Sequence, residues 1–168
     1  DLRELPEKLV IIGGGVIAIE LAFAMAPLGV AVTVIEVAPE ILLTEEAEAR
    51  HVIQKKLKKM GVVIYQGAQI KEVTGSSVLL ENEQVAFDHL LVATGRKPNL
   101  ELAQDMGLAL TERNFVQVDQ YYETSKEHVY AIGDLLESYM LAHVASAEGI
   151  KAVRAICRRA EEAVDPLG

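Results

Sequence analysis

Cysteine is nearly absent from this sequence of 168 residues, in which Cys157 stands alone. One cysteine cannot form a disulfide within the chain, and it cannot supply the paired thiolates of the usual structural zinc sites. On the apolar stripe expected for the last helix, Cys157 is predicted to be a small core residue rather than a nucleophile. We therefore expect a reducing, cytoplasmic environment and no metal site.

Positive charge is also scarce, because 16 Lys and Arg residues stand against 25 Asp and Glu, for a net charge of -9. Binding to a phosphate backbone depends on clustered basic side chains, so nucleic acid is not an expected partner. A single nucleotide remains compatible, since backbone N–H groups at a helix N-terminus can hold its phosphates. The length allows one sizeable core and could just hold a piece of a second domain.

An uninterrupted membrane-spanning segment is lacking too. The run 9–35 is long and apolar enough by hydropathy alone, but it contains Gly13-Gly14-Gly15, the ionisable Glu20 and the break Pro27-Leu28-Gly29. It therefore divides into a strand, a glycine turn, a helix and a second strand, and no membrane partner is expected. The start at Asp1, without Met, suggests that the native N-terminus is missing.

Strands and helices are predicted to alternate along the first half of the chain. Apolar, β-branched runs at 8–12 and 31–35 predict two buried parallel strands, with a helix from 15 to about 26 between them. Thr44 is expected to cap a second helix that begins with Glu45 and Glu46 and ends at Gly61, before a third parallel strand at 62–65. Its core face is predicted to consist of Ala49, Val52, Ile53, Leu57 and Met60.

From Gln69 to Phe87 the apolar period changes to two, which predicts a small antiparallel meander before residues 89–93 return to the parallel sheet. The predicted fold class is α/β: a Rossmann-like three-layer domain with a parallel sheet and an antiparallel meander. Beyond it we expect a short helix at 100–106, strands at 115–118 and 128–132, and a helix at about 140–160. The apolar stripe of the last helix, with Lys151 on its other side, is predicted to comprise Leu141, Val144, Ala145, Ala152, Val153, Ile156 and Cys157.

A glycine-rich turn with the pattern G-x-G-x-x-A lies between the first predicted strand and helix. It consists of Gly13, Gly14, Gly15, Val16, Ile17 and Ala18. Gly13 permits the tight turn, Gly15 lets the backbone approach a pyrophosphate at the helix N-terminus, and Ala18 keeps the helix close to the sheet. The alternative is a glycine turn that merely connects a strand to a helix.

Glu36 ends the second predicted strand, where an acidic side chain can accept both hydroxyls of an adenosine ribose. A 2′-phosphate would need cations there, whereas residues 37–40 supply none and add the carboxylate of Glu40. These residues predict NAD rather than NADP as the cofactor. A solvated glutamate at a strand end is the alternative interpretation.

Three segments together resemble the pyridine nucleotide-disulfide oxidoreductases: Leu9–Glu20, Ala93–Asn99 (Ala-Thr-Gly-Arg-Lys-Pro-Asn) and Thr124–Asp134. The resemblance implies that residues 93–99 lead from an NAD domain into an FAD domain, with Gly95 beside the dinucleotide. It also implies that Asp134 bonds the ribitol of FAD. A bare Gly-Asp pair, by itself, is typical of an ordinary turn.

Two further roles follow from the same resemblance. It implies that Glu20 lies near the nicotinamide and pairs with a lysine outside this sequence. A structural partner is the other interpretation, because an ionisable group in so apolar a helix needs one. Val73 aligns with an adenine-contacting valine of the family, although a core position in the meander is an equally good interpretation.

The segment Met140–Gly149 resembles the lipoamide dehydrogenase branch of the family, in which Leu-Ala-His-x-Ala-x-x-Glu-Gly is typical at the flavin. The residues that would open a helix there, with its positive end toward the flavin, are Met140, Leu141, Ala142 and His143. Such a helix end stabilises negative charge on the reduced ring. Taken alone, His143 is more typical of a helix cap or a core position.

Relative to the family, the sequence lacks a second glycine fingerprint for FAD, the C-x-x-x-x-C redox pair and the interface domain with its His-Glu pair. We expect residues 1–111 to form the NAD-binding domain and residues 112–168 the returning segment of an FAD-binding domain, with no catalytic residue in the chain. The isolated chain is expected to bind NAD weakly, to hold FAD poorly and to lack lipoamide activity.

The resemblance implies a parent flavoenzyme in which dihydrolipoamide reduces the disulfide, electrons pass to FAD and a hydride moves to NAD. Its implied partners are a second subunit, in a homodimer, and the lipoyl domain of a 2-oxo acid dehydrogenase, acetoin dehydrogenase or glycine cleavage complex. An NADH oxidase, a coenzyme A-disulfide reductase and a mercuric reductase are alternatives within the superfamily. A stand-alone NAD-binding or interaction module is the alternative from another class.

Overall fold

The structure is a computed structural model that describes residues 4–157. The chain forms two compact units, one ending at Gly95 and the other beginning at Arg96. The sequence predicts a boundary near Thr111, but residues on both sides of that point share one apolar cluster of the second unit. The cluster includes Leu100, Ala103, Leu108, Leu110, Val116, Ala131 and Leu136. The assignment of the units to NAD and FAD stays a prediction.

The first unit alternates strands and helices before it turns into a meander. Its elements are β1 (Lys8–Ile12), α1 (Val16–Met25), a 3₁₀ turn (Ala26–Leu28), β2 (Ala31–Ile35), α2 (Ala47–Lys59), β3 (Val63–Tyr65), β4 (Ile70–Val73), β5 (Ser77–Leu80), β6 (Gln84–Ala86) and β7 (His89–Val92). The apolar run 9–35 thus divides as its glycines and proline predict. Within the described residues, no helix has the length and apolar character needed to cross a membrane.

A four-stranded sheet in the order β3-β2-β1-β7 forms the centre of this unit, and all its strand pairs are parallel. Strands β4, β5 and β6 form a separate antiparallel meander. The predicted α/β class, with a parallel sheet and a meander, is confirmed. From β1 the chain moves outward to β2 and β3 and then returns to β7 on the other side of β1. The carboxyl end of β1 is therefore a topological switch point, where ligands bind in open α/β sheets.

Strand β1 contributes to apolar cores on both faces of the parallel sheet. Leu9 and Ile11 belong to the cluster that includes the α1 residues Ala18 and Ala22. Val10 and Ile12 belong to the cluster on the other face, which includes β5 of the meander. Successive residues of a strand point to opposite faces, so a strand covered on both sides reads as a continuous apolar run.

Helix α2 departs from the prediction at its start and on its core face. Glu46 is its N-cap, and Thr44 instead donates its hydroxyl to the Glu45 carboxylate at 3.1 Å. The predicted cap at Thr44 is wrong because Leu42, with φ of 53°, begins a turn that delays the helix.

On the core face of α2, Val52 is wrong as a core position, since it is 67% exposed and lies about 140° around the helix from the buried Leu57. Ala49 is exposed as well.

The second unit contains α3 (Glu101–Asp105), a 3₁₀ turn (Gly133–Leu135) and α4 (Ala142–Ile156). The strands predicted at 115–118 and 128–132 are wrong, because the described residues there form isolated bridges only, such as Val118 with Thr124. Tyr122 and His128 have φ values of 68° and 63°, which interrupt an extended backbone before a ladder can develop.

Helix α4 packs through a face that matches the predicted one only in part. Its buried residues are Val144, Glu148, Lys151 and Ala152. Of the predicted stripe, Val144 and Ala152 are confirmed as buried, whereas Leu141, Val153, Ile156 and Cys157 are exposed and are wrong as core positions. Lys151, predicted on the other side, is buried. Residues 158–160 of the predicted helix lie outside the described residues.

The end of β1 approaches the end of β7 closely at Gly13. A Cβ on Gly13 would lie 2.3 Å from the carbonyl oxygen of Ala93, and the residue has φ of 115°. Its N–H donates to the carbonyl of Ile35 at 2.8 Å, while the Ala93 N–H donates to that of Ile12 at 2.8 Å. Only glycine fits this position, because both the space and the backbone conformation exclude a side chain.

Leu57→Ala should lower the free energy of unfolding by about 2–5 kcal/mol, because removing a fully buried side chain leaves a cavity beneath α2. Val52→Ala, on the same helix, should change it by less than about 0.5 kcal/mol, since that side chain is exposed. Urea unfolding of both variants beside the parent chain measures the difference. Equal losses would show that α2 packs through the face that its apolar pattern suggests.

Gly13→Ala should destabilise the chain by about 2 kcal/mol or more, because the added methyl group overlaps the Ala93 carbonyl and the backbone is strained. Gly75→Ala is the matched control: no atom lies within 4 Å of its Cβ, and its φ is not positive. Thermal unfolding followed by circular dichroism compares the two. An unchanged midpoint for Gly13→Ala would contradict the close approach of β1 and β7.

Candidate functional site

The N-terminus of α1 presents backbone donors without a side-chain cap. Gly15 is the N-cap residue, no side chain bonds to it, and the first turn contains no acidic residue. The first N–H groups of a helix have no partner within it, and the helix dipole makes this end positive. A Cβ on Gly15 would meet no atom within 4 Å, so the space beside the turn is open. This arrangement can hold a phosphate.

The other fingerprint residues differ in how far they are buried. Ala18 is fully buried against the sheet, whereas Val16 and Ile17 are about half exposed at the open end of α1. Gly14 is buried, and a Cβ on it would lie 2.8 Å from both the Glu36 carboxylate and Ile41. The turn is thus packed from beneath and open on its outer side.

Glu36 follows the end of β2, and its carboxylate holds the glycine turn that follows β1. It accepts the N–H of Gly14 through one oxygen and the N–H of Ala38, at 2.7 Å, through the other. The Glu36 N–H donates to the carbonyl of Tyr65 in β3 at 2.8 Å. A carboxylate has about four acceptor positions, so two remain for ligand hydroxyls. The sequence predicts the ligand role of Glu36 but not its contact with Gly14.

A cation does lie near the segment that follows Glu36, although the sequence of that segment contains none. Arg50 of α2 forms an ion pair with Glu40. Its guanidinium is mostly buried, and in the described part of the chain its Nε has no hydrogen-bond partner. The charge of Arg50 is therefore already matched by Glu40. This pair could not be found from the sequence, because α2 brings Arg50 back from ten positions along the chain.

Three other predicted residues of the first unit lie on its surface. Glu20 is exposed, so the expectation that it needs an internal partner is wrong: the outward face of α1 leaves its carboxylate in water. Val73 is 44% exposed and is not a core residue of the meander. Gly95 has φ of 118° and open space where a Cβ would lie. The contacts of these residues with a dinucleotide stay predictions.

Asp134 lies in the 3₁₀ turn of the second unit, where its carboxylate meets a guanidinium. The Arg96 Nη2 is 2.8 Å from the Asp134 Oδ2, and both side chains are partly exposed. Such an exposed pair contributes only about 0–1 kcal/mol, so it leaves the carboxylate accessible to a ligand. Both residues belong to segments that the sequence singles out, but their pairing was not predicted.

Glu148 is a buried carboxylate on α4 that the sequence did not identify as a site residue. Its Oε2 accepts the N–H of Gly133 at 2.7 Å, and its Oε1 accepts the hydroxyl of Ser138 at 3.2 Å. Glu148 and Tyr122 both line a cavity of about 600 Å³. Burial raises the pKa of Tyr122, and the charge of Glu148 raises it further. The available signal was a single Glu in a helix face that is otherwise mostly apolar.

The N-terminus of α4 is uncapped like that of α1. Leu141 is its N-cap residue, no side chain bonds there, and the first turn has no acidic residue. Leu141, Ala142 and His143 are exposed, and Met140 is half-buried. The cap and core interpretations of His143 are therefore wrong, since its side chain neither caps α4 nor enters the core. The positive end of α4 is open to an anionic ligand.

Known proteins match this chain over most of its length. Dihydrolipoyl dehydrogenase of Mycobacterium leprae is 38% identical over 164 residues, covering 92% of this chain and 35% of the relative. Dihydrolipoyl dehydrogenase of Geobacillus stearothermophilus is 41% identical over 167 residues, covering 93% and 35%. The chain therefore spans about a third of the length of these curated relatives.

Solved structures give the same picture. LpdA of Mycobacterium tuberculosis has a TM-score of 0.87 and 30% identity, covering 98% of this chain and 38% of the other. The HOCl-induced flavoprotein disulfide reductase RclA of Escherichia coli has a TM-score of 0.88 and 28% identity, covering 97% and 39%. The family model described as pyridine nucleotide-disulphide oxidoreductase matches residues 1–149. The chain therefore belongs to this family, and membership implies the binding of FAD and a pyridine nucleotide.

Proposed function

We propose that this chain is the NAD-binding portion of a dihydrolipoyl dehydrogenase, joined to part of its FAD-binding domain. The observation that carries the proposal is the uncapped N-terminus of α1, with open space at Gly15, beside the Glu36 carboxylate at the switch point of the sheet. The relatives named dihydrolipoyl dehydrogenase support the choice of enzyme. The match of the family model beyond Asp134 disfavours a stand-alone NAD-binding module.

In this proposal, the predicted site residues of the first unit have distinct roles in binding the dinucleotide. The backbone N–H groups at Gly15 and Val16 would hold the pyrophosphate, and the remaining lone pairs of Glu36 would accept ribose hydroxyls. Val73 would contact the adenine, Glu20 would face the nicotinamide, and Gly95 would pass beside the dinucleotide. Binding and orientation are the contributions of these residues.

The second unit would bind the flavin through two features. Asp134 would accept hydroxyls of the ribitol, and the open end of α4 at Leu141, Ala142 and His143 would stabilise negative charge on the ring. The bound cofactors supply the electron and hydride transfer between a redox disulfide and NAD. The residues of this unit hold the flavin and orient it.

NAD is proposed over NADP because of the charges around the end of β2. A 2′-phosphate would lie against the Glu36 carboxylate, and like charges that close repel. The guanidinium of Arg50 does not compensate, since Glu40 already neutralises it. For the parent enzyme we further propose a homodimer that accepts electrons from the lipoyl domain of a 2-oxo acid or acetoin dehydrogenase or glycine cleavage complex.

Calorimetric titration of the chain should show NAD binding at least about tenfold tighter than NADP binding, which corresponds to about 1.4 kcal/mol. The visible spectrum of the purified chain should show little flavin colour. Equal affinities for the two nucleotides would contradict the assignment of Glu36. Tight binding of flavin by the isolated chain would show that the second unit alone completes an FAD site.

Gly15→Ala should weaken NAD binding at least about tenfold while changing the free energy of unfolding by less than about 1 kcal/mol. The added methyl group enters open space at φ of -76°, so it does not strain the turn, but it occupies the volume that a pyrophosphate needs. Gly75→Ala is the control, because it adds the same methyl group in a turn of the meander. Unchanged NAD affinity in Gly15→Ala would place the pyrophosphate elsewhere.

A further inference from the structure

Glu148 is an ionisable side chain in the interior of the second unit. It is only 3% exposed, and it lies on the face of α4 that also buries Val144 and Ala152. Burying a carboxylate costs several kcal/mol unless hydrogen bonds satisfy its oxygens. Both oxygens are satisfied, one by the Gly133 N–H and the other by the Ser138 hydroxyl. The helix therefore retains a charged group whose contacts lead to a single loop.

That loop carries Asp134. Gly133 begins the 3₁₀ turn with φ of 68°, and its neighbour Asp134 follows directly. The carbonyl of Gly133 accepts the Leu136 N–H at 2.9 Å, and the carbonyl of Leu135 accepts the Val116 N–H at 2.8 Å. The turn is thus anchored after Asp134 by the backbone. Before Asp134, the bond to Glu148 fixes the plane of the peptide that enters the turn.

The side chain of Asp134 supplies little of its own positioning. Its ion pair with Arg96 is partly exposed and is therefore weak. The bond from the Gly133 N–H to Glu148, in contrast, is buried and charge-assisted, which makes it roughly twice as strong as a neutral one. The direction in which the Asp134 carboxylate points is consequently set by its backbone.

We propose that Glu148 is a positioning residue for the flavin: by accepting the Gly133 N–H from inside the fold, it holds Asp134 in the orientation that receives the ligand. This rests on the proposed function, in which Asp134 contacts the flavin. Glu148 itself does not touch the cofactor. An apolar residue at 148 would leave the Gly133 N–H buried without an acceptor, whereas Gln would keep one, with its amide donating to the Ser138 oxygen.

The amide of Gly133 gives a direct readout in the full chain labelled with ¹⁵N. In Glu148→Ala its hydrogen exchange should accelerate at least about tenfold, the equivalent of losing one charge-assisted hydrogen bond. In Glu148→Gln the exchange should stay within about threefold of the parent, which makes Gln the conservative rescue. Unchanged exchange in Glu148→Ala would overturn the proposal.

FAD, titrated to millimolar concentration and followed by amide shifts of the second unit, tests the consequence. Glu148→Ala should raise the Kd at least about tenfold, and Glu148→Gln should leave it within about threefold. In an Asp134→Ala background, Glu148→Ala should have no further effect, because the two residues act through one contact. An equal loss in both backgrounds would mean that Glu148 supports the fold in general, and the proposal would fail.

The controls separate this inference from the function on which it rests. If Asp134→Ala leaves the Kd for FAD unchanged, the flavin assignment of Asp134 fails. If Asp134→Ala weakens FAD binding and Glu148→Ala does not, only the role of Glu148 fails. NAD affinity should be the same in all these variants, because its proposed site lies in the first unit. Should Glu148→Ala not fold, Ser138→Ala must raise the Kd by about threefold in the presence of Asp134 and not in its absence; no change would overturn the proposal.

Discussion

The missing side chain of Gly13 lets the ends of three parallel strands meet. Because no Cβ intervenes, the carbonyl of Ala93 at the end of β7 occupies the space beside the turn, while the Gly13 N–H reaches the carbonyl of Ile35 at the end of β2. The proposed nucleotide site lies at these strand ends. The helix that follows can then start directly after its N-cap residue Gly15, where the space beside the turn is open. A local absence of atoms therefore determines where the site is.

Glu36 connects the stability of the glycine turn to the ligand that the turn is proposed to bind. Its carboxylate accepts two backbone N–H groups, from Gly14 and Ala38, while it stands where ribose hydroxyls are expected. A side chain held by two donors has already lost its rotamer freedom before a ligand arrives, so binding does not have to supply that entropy. The same bonds keep Gly14 packed beneath the turn. Structure and specificity thus depend on one carboxylate.

The second unit follows the same principle with the roles divided between two carboxylates. Glu148 is buried and bonds the backbone, whereas Asp134 is partly exposed and stays accessible. Helix α4 turns its polar Glu148 and Lys151 inward and leaves Val153 and Ile156 outside. An apolar stripe in the sequence does not reveal this orientation, because Gly133 and Ser138, the hydrogen-bond partners of Glu148, lie outside the helix.

The sequence by itself determined the elements whose signals are local: the bounds of β1 and β2, the glycine turn, the switch to a meander after residue 69, and membership of the family. It did not determine the start of α2, the isolated bridges in place of strands near 115–118 and 128–132, or the inward face of α4. Nor did it show that Arg50 is neutralised or that Glu148 holds Gly133. Periodicity, glycine and β-branching act over a few residues, whereas the partner of a buried polar group lies elsewhere in the chain, so only the tertiary structure decides which side chain meets it.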